Sequence, residues 1–152
     1  MKSLHTQQGT TLIEILIAVV ILAVGLLGMA GLQATSVQTN QGAYYRSQAS
    51  ILANDMADRM RANRDSAIAG NYTMSDFPAS SSSNSVTGTR AEKDQAEWLN
   101  RLASALPSGT GKVALNANVI TISVRWDDNR ARIKATTDTT TPTETFEYRT
   151  RL

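Results

Sequence analysis

The chain starts with a short polar segment and then becomes continuously apolar. Residues 12–32 contain Glu14 as their only ionisable residue. At about 1.5 Å per helical residue, roughly 20 residues cover the ~30 Å hydrocarbon core of a bilayer. The run therefore predicts one transmembrane helix, because a cleavable secretory signal would have a shorter apolar region. Lys2 precedes the run and the first charge after it is Arg46, so the leader is expected inside the cell and the rest outside the membrane.

The helix is predicted to continue beyond the membrane, from Gln33 to about Arg64, with a different pattern. Apolar residues now recur at spacings of three and four, which is typical of a helix with one buried face. The predicted buried stripe consists of Tyr45, Ala49, Leu52, Met56 and Met60. One long helix is thus divided into a membrane segment, residues 10–32, and an extension, residues 33–64, that covers the exported domain.

Residues 65–88 are rich in Ser, Asn, Gly and Ala without a sustained period, which predicts a loop. The serine run at 80–85 indicates a solvated linker. A second helix is expected over 89–106, since Thr89 and Glu92 have the spacing of a capping box. Its predicted apolar face consists of Trp98, Leu99, Leu102 and Leu106.

Residues 112–151 change to an alternating pattern, which predicts an antiparallel sheet and hence an α+β fold. Alternation is clearest over Val119–Trp126. The predicted apolar face of this strand consists of Ile120, Ile122, Val124 and Trp126. Asp127–Asn129 predicts a tight turn into a strand over 130–136, and 145–150 is the expected final strand. The three polar residues of that turn could also bind calcium, but turn formation is the simpler interpretation.

Composition limits the function. About 120 residues follow the membrane segment, enough for one small domain. The chain has no cysteine, and 15 basic residues nearly balance 13 acidic ones, so we expect neither a disulfide nor a nucleic-acid partner. The only histidine, His5, lies in the leader, and no phosphate-binding glycine loop occurs. We therefore expect a non-enzymatic protein with no catalytic residues, no metal and no cofactor.

The start of the chain resembles the prepilin signal of the type IV pilin superfamily, which includes type IV pilins and type II secretion pseudopilins. The resemblance lies in the sequence Gly-Thr-Thr-Leu-Ile-Glu at 9–14, followed by an uninterrupted apolar helix. It implies that a prepilin peptidase removes the leader, residues 1–9, by cutting between Gly9 and Thr10, and that Thr10 is then N-methylated. It also implies the type IV pilin fold, a long N-terminal helix on a C-terminal antiparallel sheet. Members usually have phenylalanine where this chain has Thr10, and many have a C-terminal disulfide that this chain lacks.

Glu14 is the most unusual residue of the apolar run, because an acid within a membrane segment is costly and is by default functional. After cleavage the amine of Thr10 would lie one helical turn away, since residues four apart share a helix face. We therefore assign Glu14 to assembly, where attraction to the Thr10 amine of a neighbouring subunit would set the axial register. The alternative is a carboxylate that simply reaches back to the membrane interface.

The later part of the chain is similar to the PilV-type minor pilins, also called type IV pilus modification proteins. The similarity lies in Glu97–Leu99, Leu106–Gly109 and Val124–Asp127, and the apolar helix agrees. It implies a minor pilin that primes and assembles type IV pili at or near the tip and supports adhesion and twitching motility. The implied partners are other minor pilins, the major pilin, the prepilin peptidase and the inner-membrane pilus assembly machinery.

The same resemblance implies a location. The chain would be a bitopic prepilin of the inner membrane with a periplasmic domain, and would then become part of the pilus at the cell surface. Two alternatives stay open: a minor pseudopilin of type II secretion, and a membrane-anchored extracytoplasmic binding domain that is unrelated to pili.

Overall fold

The structure, a computed structural model, describes residues 11–128 and 143–152. The described residues form α1 (Leu12–Ala62), α2 (Arg64–Ile68), α3 (Arg90–Ala105), β1 (Thr110–Asn116), β2 (Val119–Asp127) and β3 (Thr143–Arg151). This is the predicted α+β fold, with a long N-terminal helix packed against a three-stranded antiparallel sheet. The chain divides into a first unit that ends at Val37 and a second unit that starts at Gln38, and α1 contributes to both.

The described part of the first unit is helical from Leu12 onward. The main-chain N–H groups of Glu14 and Ile15 both donate to the carbonyl oxygen of Thr11, at 3.0 and 3.3 Å, and close the first turn. Every side chain from residue 11 to Val37 is exposed. By length and composition, α1 contains an 18-residue window apolar enough to span a membrane, and none of that window is buried within the protein.

In the second unit, α1 carries the predicted buried stripe. Its buried residues are Ala49, Leu52, Ala53, Met56, Ala57 and Met60. The prediction that both methionines fill the core is confirmed, and Tyr45 packs half-buried against the same core. Ala53 and Ala57 were not in the predicted stripe, and their small side chains let neighbouring elements lie close to the helix backbone.

The predicted capping box starts α3. The hydroxyl of Thr89 accepts from the N–H of Glu92 at 3.3 Å, and the Glu92 carboxylate accepts from the N–H of Thr89 at 2.7 Å. These bonds satisfy two main-chain N–H groups that have no partner within the helix at its N-terminus. The residues of its apolar face are Trp98, Leu102 and Leu106, which are buried, and Leu99, which is half-buried. Trp98 also donates its indole N–H to the carbonyl oxygen of Leu52 in α1, at 2.9 Å.

The three strands pair in the order β1-β2-β3, and both pairings are antiparallel. Ala117 and Asn118 join β1 to β2, and both have positive φ, at 45° and 66°. Positive φ at both central residues is the geometry of a two-residue hairpin turn. The predicted apolar face of β2 is confirmed, and its buried residues are Ile120, Ile122, Val124 and Trp126. They pack with the buried residues of α1 and α3 in one core.

The sequence predicts a hairpin in which the turn at Asp127–Asn129 leads into a strand over 130–136. As a description of which strand pairs with β2, this prediction is wrong. One edge of β2 pairs with β1, and the other edge pairs with β3 from Val119 to Asp127. The strand that returns along β2 therefore starts at Thr143, which pairs with Asp127. Alternation predicted β3 itself but could not indicate which strand lies beside which. Asn129 and the strand expected over 130–136 lie outside the described residues.

The prediction of a loop over 65–88 is wrong at the start of this segment. The short helix α2 (Arg64–Ile68) extends into it as far as Ile68. Asn63, with φ −124° and ψ 51°, interrupts the helical backbone between α1 and α2. No glycine or proline follows until Gly70, whose φ of 83° lies in the left-handed region that favours glycine. The helical conformation therefore resumes after Asn63 and ends before Gly70.

The rest of this loop is anchored on β1 and α3. The N–H of Met74 donates to the carbonyl oxygen of Val113 at 2.8 Å, so the loop covers part of the free edge of β1. Asn84 donates its main-chain N–H to the side chain of Asn100 at 2.7 Å, and Asn100 donates back to the carbonyl oxygen of Asn84 at 3.1 Å. The serine-rich run is thus tied to α3 at Asn84, which the interpretation as a solvated linker did not include.

Candidate functional site

Glu14 lies in the first turn of α1, and its side chain is exposed. A helix N-terminus carries a partial positive charge, so an acid in the first turn is favourable there. The neighbouring large apolar side chains Leu12, Ile13, Ile15, Leu16 and Ile17 are exposed as well. The ion pairs between described residues all lie in the second unit, so Glu14 has no cationic partner among them.

The two residues predicted for processing, Gly9 and Thr10, lie outside the described residues, as does the leader 1–9. Their roles as the cleavage site and the methylated residue therefore stay predictions. The described chain starts one residue later, at Thr11, whose carbonyl oxygen closes the first turn of α1.

In the first unit, three glycines of α1 leave part of the helix surface without side chains. No atom lies within 4 Å of the position that a Cβ would take at Gly25, Gly28 or Gly31. Glycine weakens a helix by about 1 kcal/mol relative to alanine. In membranes, small residues also let a second helix approach closely. The helix surface around these residues is therefore open to another helix.

Within the second unit, α1 also has a short apolar strip outside the core. Tyr44 and Ile51 are 58% and 57% exposed, and they lie seven residues apart. Seven residues are close to two helical turns, so the two side chains share one face. The ring of Tyr44 packs edge-on against Tyr45, with 5.9 Å between ring centroids. This Tyr44–Ile51 strip is a candidate contact surface on the exported part of the helix.

A polar network joins α1 to α3 in the second unit, and sequence analysis missed it. The guanidinium of Arg59 donates to Asp55 at 3.1 Å, to Asp94 at 3.1 Å and to Glu97 at 2.7 Å. The side chain of Asp94 is only 2% exposed, and that of Arg59 is 14% exposed. Removing one partner from such an ion pair leaves the other charge partly buried without compensation.

Asp94 is the centre of this network. Besides Arg59, it accepts from the hydroxyl of Tyr72 at 2.6 Å and from Arg90 at 3.2 Å. Burial, with the hydrogen bond to Asp94, raises the pKa of Tyr72. One sequence signal could have revealed the network: Asp94 stands four residues before Trp98, on the apolar face of α3. An acid on a buried face requires partners.

Arg59 and Glu97 each stabilise the charged form of the other. Burial acts to lower the pKa of Arg59, but the hydrogen bond to Glu97 and the charge of Asp55 outweigh it and raise that pKa. The hydrogen bond from Arg59 in turn lowers the pKa of Glu97. Both groups are therefore held in their charged forms at neutral pH.

The described residues contain no group of three His, Cys, Asp or Glu side chains placed to hold a metal ion. At the end of β2, the N–H of Asp127 donates to the carbonyl oxygen of Pro107 at 2.8 Å and ties the strand to the segment after α3.

Two protein-family models match the chain. The model described as type IV pilin Tt1218 matches residues 31–101, and the prokaryotic N-terminal methylation motif matches residues 4–30. The first match takes in the later part of α1 and most of α3, and the second takes in the predicted cleavage site and Glu14. No curated protein and no solved structure is similar enough to this chain to count as a match.

Proposed function

Because this chain belongs to the type IV pilin superfamily, we propose that it is a minor pilin that primes and assembles type IV pili. The superfamily is structural rather than enzymatic. The methylation motif together with the apolar N-terminal helix fits a membrane-anchored pilin that later becomes part of a pilus. Glu14 carries the proposal. It is a lone acid within a matched methylation motif and an apolar helix, and no described residue supplies its cation.

The first step is insertion and processing. The apolar part of α1 spans the inner membrane, the second unit lies in the periplasm, and the prepilin peptidase cuts between Gly9 and Thr10. Methylation of Thr10 follows. The support for this step is the matched methylation motif together with a helix of sufficient length and apolarity. Cleavage creates a new amine on Thr10, which stands four residues before Glu14 in the sequence.

The second step is pairing between subunits. Two unit charges about 4 Å apart attract by about 1 kcal/mol in water and by about 4 kcal/mol at an effective dielectric constant of about 20. An apolar helix bundle is closer to the second case, so the Glu14 carboxylate pairs strongly with the Thr10 amine of a neighbour. A shift of one residue along the axis moves the charges apart by about 1.5 Å. The pair therefore selects one axial register.

The third step is packing against other pilins. The exposed apolar side chains of the first unit exchange lipid for neighbouring helices, and the glycines permit close approach there. On the exported part of α1, the Tyr44–Ile51 strip contacts another minor pilin or the major pilin. A subunit that joins at the start of assembly is placed at or near the tip, where it supports adhesion and twitching motility.

A substitution at Glu14 tests this mechanism. We expect Glu14→Ala to be processed normally, so that the mature chain starts at Thr10, but to be largely missing from sheared surface pili. Mass spectrometry of the membrane and pilus fractions measures both properties. Glu147→Ala is the matched control, since Glu147 is an exposed carboxylate of β3 in the second unit. Normal incorporation of Glu14→Ala, or a mature chain that keeps its leader, would overturn the proposal.

The same preparations separate the proposal from its nearest alternative. A minor pseudopilin of type II secretion shares the motif and the helix, but it would be absent from sheared surface pili of wild-type cells. Its deletion would reduce protein secretion and leave piliation unchanged. A deletion strain with fewer pili and normal secretion supports the minor pilin.

A further inference from the structure

The two outer edges of the sheet differ in how they are covered. At the β1 edge, the N–H of Met74 donates to the carbonyl oxygen of Val113 at 2.8 Å, so a loop lies against that strand. At the other edge, β3 (Thr143–Arg151) pairs only with β2 among the described residues. A strand directs its main-chain N–H and C=O groups alternately to its two sides. About half of these groups in β3 therefore point away from β2 and have no strand to bond within the described part of the chain.

The face of β3 that turns toward the core has its partners within the chain. Phe146 and Tyr148 pack half-buried against the hydrophobic core. On the same face, the side chains of Glu144 and Thr150 accept hydrogen bonds from arginines of α1, at 3.3 and 3.1 Å. A ligand of β3 would therefore contact its outer edge and its opposite face.

The opposite face of β3 ends in two arginines. Successive side chains of a strand point to opposite faces, so Arg149 and Arg151 lie together on the face away from the core. Both are exposed, and neither has an acidic partner among the described residues. Their register partners on β2 are Thr121 and Val119, which carry no charge. Two cations thus stand two residues apart along this strand edge.

We propose that the outer edge of β3 binds an extended acidic segment of another protein, which adds to the sheet as a further strand. Main-chain groups of the segment bond the outer edge of β3, and acidic side chains two residues apart lie beside Arg149 and Arg151. In strand addition of this kind, main-chain hydrogen bonds give the affinity and alternate side chains give the specificity. Binding is a property of the second unit and does not depend on the proposed role in pili.

Other occupants fit this edge less well. Antiparallel pairing of two β3 strands turns one copy upside down relative to the other, whereas chains anchored in one membrane by their N-terminal helices stand the same way up. Parallel pairing of two copies puts their arginines on opposite faces, so neither gains an acid. An apolar strand also leaves the arginines without acids, and a basic strand is repelled. Because Glu147 lies on the same face, two residues before Arg149, the acids of the segment belong opposite the end of β3.

Two capped, fluorescently labelled peptides test this inference, one for each strand direction: Asp-Val-Asp-Val-Thr-Val-Thr and Thr-Val-Thr-Val-Asp-Val-Asp. The full-length chain in micelles of a non-ionic detergent is titrated into each peptide, with empty micelles as the blank, and fluorescence anisotropy measures binding. We expect one peptide to bind to saturation. The same composition with adjacent aspartates should bind about fivefold more weakly, because one acid then falls on the other face. Lysine in place of aspartate should weaken binding further.

N-methylation of the peptide separates strand addition from simple charge attraction. Methyl groups on alternate amides remove the hydrogen-bond donors of one peptide edge only. One of the two alternately methylated analogues should therefore lose binding about tenfold or more, and the other should keep it. In the free chain, alternate amides of β3 should exchange hydrogen with water quickly, and the bound peptide should slow this exchange.

Arg149 and Arg151 supply the variants, and Lys93 supplies the matched control. Arg149→Gln and Arg151→Gln should each weaken peptide binding about threefold, the scale of one cross-strand ion pair. Lys93 is also an exposed cation of the second unit, but it lies on α3. Lys93→Gln removes the same charge, and it should change binding less than about 1.5-fold because it touches neither the edge nor the peptide.

Four results would overturn the inference. The first is no saturable binding of either peptide, and the second is equal binding of the lysine peptide or the peptide with adjacent aspartates. The third is undiminished binding of both methylated analogues, or equal weakening by Arg149→Gln and Lys93→Gln, since either would reduce the edge to a general attraction between charges. The fourth is slow exchange of every β3 amide in the free chain, which would mean that the edge is already occupied; loss of that protection on dilution would identify the occupant as a second copy.

Discussion

The two units of this chain use apolar residues in opposite ways. From Leu12 to Val37, apolar side chains occur on every side of α1, and all of them are exposed. From Gln38 to Ala62, they recur mainly on one face of the same helix and are buried with α3 and the sheet. The comparison shows that the number of apolar residues in a helix does not indicate whether the helix packs into the core of its own chain. The spacing of the apolar residues does indicate this, because a helix that covers a core has them on one face.

This difference separates two kinds of stability. Apolar side chains of the second unit lose contact with water when the chain folds, so they stabilise the fold itself at about 25 cal/mol per Å² buried. Apolar side chains of the first unit lose contact with water only in a membrane or against other chains. Substitutions in the second unit should therefore change folding, and substitutions in the first unit should change anchoring and assembly.

The largest expected effect is that of Met56→Ala. Met56 is fully buried, so its truncation leaves a cavity in the core and should cost about 2–5 kcal/mol of unfolding free energy. Leu22→Ala, at an exposed position of the first unit, should change that free energy by less than about 0.5 kcal/mol. Urea unfolding of the full chain in detergent micelles, followed by tryptophan fluorescence, measures both, because both tryptophans lie in the second unit.

The control for this prediction is Met56→Leu, which keeps the volume and should cost less than about 1.5 kcal/mol. Equal destabilisation by Met56→Ala and Leu22→Ala would mean that the first unit contributes to the fold of the second. The division between a folding surface and an assembly surface would then be wrong.

Glycines give the next contrast. A Cβ at Gly111 would collide with the ring of Trp98, whereas nothing lies within 4 Å of a Cβ at Gly28. We expect Gly111→Ala to cost about 1–3 kcal/mol, because an overpacked core must shift. Gly28→Ala should leave the unfolding of the second unit unchanged and should instead reduce recovery of the subunit in sheared pili. The same urea titrations and pilus preparations measure both effects.

Loss of fold stability by Gly28→Ala would contradict this contrast, as would a Gly111→Ala variant as stable as the wild type. The first result would place Gly28 in the folded core, and the second would show that Trp98 moves aside without cost.

Local pattern was sufficient to predict much of the fold. The spacing of Leu52, Met56 and Met60 predicted the buried face of α1, and Thr89 with Glu92 predicted the start of α3. In each case the physical cause lies within a few residues of the signal, as one helix face or one helix turn. The candidate assembly residue Glu14 was also found this way, because an acid in an apolar run is visible without a structure.

The features that sequence missed depend on residues far apart in the chain. Arg59 and Asp94 are 35 residues apart, and neither has a local pattern that identifies the other. Gly111 must be glycine because the side chains of Trp98 and Leu102, in a different element, lie against it. Whether the buried indole N–H of Trp126 meets an acceptor likewise depends on the elements that pack around it. Such contacts are fixed by packing between elements, which alternation and periodicity do not specify.

The smallest expected effect is a pH dependence confined to the second unit. The hydrogen bond from Arg59 lowers the pKa of Glu97 below its ordinary value of 4.5. A carboxyl group with a lowered folded-state pKa stabilises the fold above its unfolded-state pKa, and that contribution is lost as pH falls through the folded-state pKa. Glu97→Gln should therefore be less stable than the wild type at neutral pH, and the difference should shrink as pH falls below 4.5.

Urea midpoints of the two proteins, measured from neutral pH into the acid range, give this difference directly. Because the side chain of Glu97 is half exposed, we expect a small difference that added salt reduces further. A difference that stays constant with pH would mean that the bond between Arg59 and Glu97 adds no pH-dependent stability. Asp94, which also accepts from Arg59, would then be sufficient to hold α1 against α3.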